Sequence, residues 1–137
     1  MAIMQMFLII FSLCFGSFSA SFSVSAEEVS IADQMKRGKR QFVLCRSCHT
    51  VDEGGRHKVG PNLYKMFGSK AGSKEGFRYS KAVLASDIVW SAETLGEWLK
   101  KPKDFLPGNK MAFAGVKKPE NRAALILYLQ SVTAEQN

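Results

Sequence analysis

Cys45, Cys48 and His49 stand together in the run Cys45-Arg46-Ser47-Cys48-His49, and their spacing points to one chemistry. Two thiols on one helical turn can each add to one of the two vinyl groups of a haem. The residue that follows is then carried under the iron, where its imidazole can serve as an axial ligand. Three rival uses fit less well. A thioredoxin-like dithiol needs a βαβ context, and no alternating strand pattern surrounds the run. A zinc site from Cys45, Cys48, His49 and His57 lacks finger spacing between its histidines. A plain disulfide gives His49 no role.

A second axial ligand must come from elsewhere. His57 lies in a Gly-Gly-Arg-His-Lys stretch near the attachment run, and Met35, Met66 and Met111 are the methionine candidates in the body of the chain. Met35 falls in an amphipathic helix and Met66 on an apolar face, so both read as packing. Met111 follows a Pro107-Gly108 turn in an irregular stretch, from which a thioether can be presented to a metal. Filling a core gap is the ordinary fate of a methionine, but this loop setting favours the ligand reading.

Three helices must position these groups. The first is expected over about Ser30 to Leu44, with Ile31, Met35, Gly38 and Phe42 on its inner face. Gly38 is costly in a helix unless another backbone comes close, and Leu125 and Tyr128 could pack where it leaves room. The second runs from about Ala92 to Lys101, capped by Ser91, lined by Leu95, Trp98 and Leu99, and stopped by Pro102. The third opens near Pro119 and runs to about Thr133, with Leu125, Tyr128, Leu129 and Val132 along one face. Between the first two lies Val51 to Trp90, rich in Gly and Lys, with one short helical candidate at Leu63 to Phe67. So many loop residues make a poor core alone, and a buried haem would supply the missing apolar volume. The fold class is therefore all-α, three main helices and loops wrapped around one covalent haem.

The first 26 residues contain no Lys, Arg, Asp or Glu and end Val24-Ser25-Ala26, with small side chains where a signal peptidase needs them. Residues 1–26 are expected to be a cleaved signal peptide and 27–137 the folded domain. The apolar part is short for a membrane span, and no lipobox precedes Cys14. The formal net charge of +7 suits acidic partners. Export and the absence of a recognition motif argue against nucleic acid.

Beyond the haem-attachment run, four stretches carry a family pattern in order: His57-Lys58-Val59-Gly60-Pro61-Asn62-Leu63, Gly76-Phe77-Arg78-Tyr79, Pro107-Gly108-Asn109-Lys110-Met111 and Phe113-Ala114-Gly115. From about Met35 to Val132 the chain resembles class I cytochrome c of the mitochondrial and α-proteobacterial type. With the leader, the resemblance implies a bacterial periplasmic member of the respiratory chain. It implies that Met111 is the distal ligand and that the carbonyl of Pro61 accepts the ring N–H of His49. Tyr79 and Trp90 would donate to a haem propionate, and Phe113 would lie beside the exposed haem edge. Lys39, Lys58, Lys103, Lys110, Lys117 and Lys118 match positions that ring that edge and meet acidic docking sites.

The implied function is one-electron transfer, not enzyme catalysis, by a monomer that touches membranes only peripherally. Its expected partners are a cytochrome bc complex and a terminal oxidase. The reading from a different class is a haem peroxidase or gas-binding sensor with a displaceable sixth ligand. Four positions depart from the pattern: Ser69 where an arginine is frequent, Val83 for asparagine, Trp98 for tyrosine and Asn109 for threonine. A lost cation lowers a haem potential and a drier pocket raises it, so these changes oppose one another.

Overall fold

The computed structural model describes residues 30–134, so the expected signal peptide at 1–26 and Cys14 lie outside the described residues. Among the described residues five helices follow in order: α1 (Ile31–Phe42), α2 (Lys81–Leu84), α3 (Ala92–Lys100), α4 (Pro102–Phe105) and α5 (Pro119–Thr133). The described residues hold no strand, only one isolated antiparallel bridge between Lys70 and Val89. The all-α expectation holds.

Each long helix begins where its local chemistry permits. The Ser30 hydroxyl accepts the Asp33 N–H at 3.1 Å to cap α1, and Lys39 and Arg40 complement the helix dipole in its last turn. Ser91 and Thr94 form a reciprocal capping box on α3. Pro119 opens α5, where its missing N–H costs nothing. Pro102 both ends α3 and starts α4, a four-residue turn that the sequence periodicity does not reveal.

The core sits between α5 and the two helices packed on it, α1 and α3. Leu125 is fully buried, with Leu129, Leu95, Leu99, Trp98 and Phe42 around it. Gly38 marks the crossing of α1 and α5: a Cβ built there would lie 2.1 Å from the Ala124 carbonyl oxygen and 2.6 Å from Tyr128 Cβ. The expected role of Tyr128 therefore stands, while the closest partner is the backbone of Ala124, not the side chain of Leu125. Phe42 packs one turn further on against Tyr128, with ring centroids 5.5 Å apart.

Two local expectations are corrected. Ile31 does not face the core but is 65% exposed at the first turn of α1. The helix expected at Leu63 to Phe67 is a pair of turns, because Lys65 adopts a left-handed conformation (φ 51°) that breaks helical continuity. The Lys65 N–H instead donates to the Thr133 carbonyl at 2.7 Å, tying this loop to the end of α5.

Candidate functional site

The attachment run continues α1 as a helical turn. Arg46 N–H donates to Phe42 O at 3.0 Å and His49 N–H to Cys45 O at 3.0 Å, so both cysteines and the histidine sit on successive positions of one coil. Cys45 and Cys48 are free thiols. Burial, then the nearby Cys48, pushes the Cys45 thiol up to about 11.

His49 is held from below by the next loop. Its Nδ1 lies 2.7 Å from the Pro61 carbonyl oxygen, and Gly60 N–H donates to Cys48 O at 2.8 Å. Burial is the larger influence on the imidazole and lowers its pKa, against the opposing Pro61 hydrogen bond. A neutral ring that donates through Nδ1–H keeps its lone pair on Nε2, the atom a metal takes. Gly60 is required here, since a Cβ would stand 2.2 Å from His49 Cε1. In the sequence this cradle shows only as a glycine before Pro61, which by itself does not mark a contact with His49.

Cys45, Cys48, His49 and Pro61 open onto a cavity of about 300 Å³ that Tyr79, Trp90, Met111, Phe113 and Lys110 also line. Leu95, Leu99, Leu129, Trp98 and Met66 give it apolar walls. Asn109 and the other three positions that depart from the family pattern, Ser69, Val83 and Trp98, line it as well. Tyr79 is placed by a ladder of rings, with His57 to Phe77 at 5.5 Å and Phe77 to Tyr79 at 4.8 Å. Its phenol pKa is raised by burial, against a Lys74 backbone hydrogen bond that lowers it. Trp98 stacks edge-on between Trp90 and Phe105.

His57 is no rival ligand. Its Nδ1 accepts the Asn62 N–H at 2.9 Å and its Nε2 faces the Glu75 carbonyl oxygen at 2.8 Å, so both nitrogens are engaged in joining two loops. Asn62, buried and unremarked in the sequence, donates from Nδ2 to Thr50 Oγ1 and Asp52 O and accepts Tyr64 N–H. Lys39, Lys58, Lys103, Lys110, Lys117 and Lys118 are all exposed, and of these Lys110 borders the cavity. Lys58 Nζ donates to Arg46 O at 2.8 Å, which places its charge beside the attachment turn.

The residues fit a covalently held haem: two free thiols, an imidazole with an open Nε2, a thioether and apolar walls around one cavity. An all-α domain built this way defines the class of covalent-haem proteins. A family model described as Cytochrome c matches residues 35–133. Cytochrome c of Chlamydomonas reinhardtii is 49% identical over 104 residues, covering 75% of this chain and 93% of that relative. Those of Sesamum indicum (46%, 73% of this chain, 91% of the relative) and Stellaria longipes (48%, 72%, 92%) are similar. The chain belongs to the cytochrome c family, and within it to class I. It carries haem c, with Cys45 and Cys48 present at the family's attachment spacing, and it is an electron carrier that serves membrane redox complexes, not an enzyme.

Proposed function

We propose that this carrier holds its haem through thioether bonds at Cys45 and Cys48, with His49 and Met111 as axial ligands, and takes electrons from a cytochrome bc complex to a terminal oxidase. One observation carries the reading: the Pro61 carbonyl fixes Nδ1–H of His49, leaving Nε2 open on the cavity that Met111 also lines. Haem c supplies a one-electron Fe(II)/Fe(III) couple. Around it, Tyr79 and Trp90 offer donors to propionates that would otherwise be buried charges. Phe113 and Ala112 line the same cavity, and an electron would leave past them. With His49 and Met111 both held by the protein as its ligands, the iron would be closed to substrates and would reorganise little between oxidation states, and a thioether would raise the potential relative to a second nitrogen.

Residues 1–26 are the export signal in this reading and 27–137 the periplasmic domain. Its support is the uncharged, apolar leader ending in Val24-Ser25-Ala26. Among the described residues no helix is long and apolar enough to cross a membrane.

The test is the absorption spectrum of protein made with a cytochrome c maturation system. A c-type pyridine haemochrome and a weak far-red sulfur-to-iron band in the oxidised protein are expected, at the mass of residues 27–137 plus one haem. A haemochrome without the band, with rapid carbon monoxide binding after reduction, would remove Met111 and favour a peroxidase or sensor. No haem would end the reading.

The lysines would steer docking. Replacing Lys103 and Lys110 together by glutamate is expected to slow electron delivery to oxidase-containing membranes about tenfold or more at low ionic strength. The difference should close towards 1 M salt, where the Debye length falls to about 3 Å. Equal rates at low salt would remove these two lysines from the docking face.

A further inference from the structure

The stretch from α4 to Met111 is organised by one side chain. Asn109 Nδ2 donates to Pro102 O at 2.9 Å and to Leu106 O at 2.7 Å, while its Oδ1 accepts Met111 N–H at 2.9 Å. Both amide protons and the carbonyl oxygen are thus engaged, bridging the first residue of α4, the loop after it and Met111 itself. The backbone reinforces the same closure, with Leu106 N–H on Pro102 O at 3.1 Å and Asn109 N–H on Leu106 O at 3.2 Å. Gly108 turns the chain between them with φ 87°. Downstream the loop is tied separately: Val116 N–H donates to Leu99 O at 2.7 Å, and Arg122 Nη1 donates to the carbonyls of Val116 and Lys117. Between the two anchors, Asn109 is the partner of the Met111 N–H among the described residues.

We infer that Asn109 is the positioning residue that holds Met111 in its ligating conformation, acting through the Met111 amide and the loop base and not by contact with the iron. A hydroxyl at this position could donate only one hydrogen bond, so it could not span both carbonyls and the amide. The carboxamide makes the loop a closed clip that must open before Met111 can leave. The inference rests on Met111 being the distal ligand, as proposed above.

An added nitrogen ligand measures that opening. Imidazole titrated into the oxidised holoprotein competes with the thioether for the sixth position, and loss of the far-red band reports displacement. Asn109→Ala is expected to raise the apparent imidazole affinity tenfold or more. Asn109→Ser, which can still accept from Met111 N–H but donates once, should fall between Asn109→Ala and the wild type. Thr133→Val separates positioning from general stability: it removes the buried Thr133 hydroxyl, which donates to Leu129 O at 2.7 Å far along α5. That variant is expected to unfold at lower denaturant concentration with unchanged imidazole affinity. Wild-type affinity in both Asn109 variants overturns the inference, and so does an equal rise in Thr133→Val. Should Asn109→Ala fail to mature, Asn109→Ser decides alone: an affinity above wild type supports the clip and one equal to it does not. Absence of the far-red band from the wild type overturns the Met111 reading itself, and this inference with it.

Discussion

Gly38→Val is expected to destabilise the holoprotein by about 3 kcal/mol or more, at the upper end of what overpacking a core costs. The reason is that the obstacle is backbone. A Cβ at position 38 would meet the Ala124 carbonyl oxygen at 2.1 Å and its carbon at 2.9 Å, with Tyr128 Cβ at 2.6 Å. No rotamer change relieves those contacts, so α1 and α5 must separate along their crossing and loosen Phe42 from Tyr128. Gly38→Ala gives the informative sign. In an exposed helix interior that change would stabilise by about 1 kcal/mol through helix propensity. Here it is expected to destabilise, and the denaturation midpoint of the two variants, at unchanged slope, checks both. A midpoint for Gly38→Ala at or above wild type would mean that the helices do not cross at this glycine. Because α1 runs directly into the Cys45–His49 turn, the damaged crossing should also lower the yield of protein with covalent haem.

That glycine shows what kind of information the sequence carries. A glycine interrupting an amphipathic helix signals close approach, and the attachment run signals its own chemistry. Both were legible because each is a short-range pattern whose cause lies within one turn of helix. The bounds of α5, and the start and stop of α3 at Ser91 and Pro102, were legible for the same reason: caps and prolines act locally. The family resemblance added Pro61 as the carbonyl over His49, and that hydrogen bond is present at 2.7 Å.

What the sequence hid depends on loop closure. Nothing local marks Gly60 as the floor beneath the imidazole of His49, since the contact exists only once the 57–61 loop folds back onto the attachment turn. Asn62 reads as a loop asparagine, yet it is buried and bridges Thr50, Asp52 and Tyr64. The left-handed Lys65 defeats a helix that its apolar neighbours suggest, because its N–H is taken by Thr133 across the molecule. α2 and α4 are too short to show a period. Asn109 was visible only as a departure from a threonine; its three hydrogen bonds turn the departure into a design for the loop.

Met111→Leu should have the largest effect on redox chemistry while sparing the fold. Leucine conserves volume, and such swaps in packed sites typically cost less than about 1.5 kcal/mol. The substitution removes the one soft donor that the loop carries to the cavity. The far-red band is expected to vanish, the reduced protein to bind carbon monoxide rapidly, and the potential to fall by on the order of 100 mV or more. Axial ligands move haem potentials over about 0.8 V, so a shift of that size is well within their reach. Met66 supplies the necessary control. Among the described residues it is the other methionine that lines the cavity, and it is only 6% exposed. Its N–H donates to Leu63 O at 3.1 Å within a turn packed on the core, a setting that suits a wall and not a ligand on a loop. Met66→Leu should therefore keep the band and leave the sixth position closed to carbon monoxide. If Met66→Leu removed the band and Met111→Leu kept it, the thioether would come from the core side of the cavity, and the loop built around Asn109 would serve some other end.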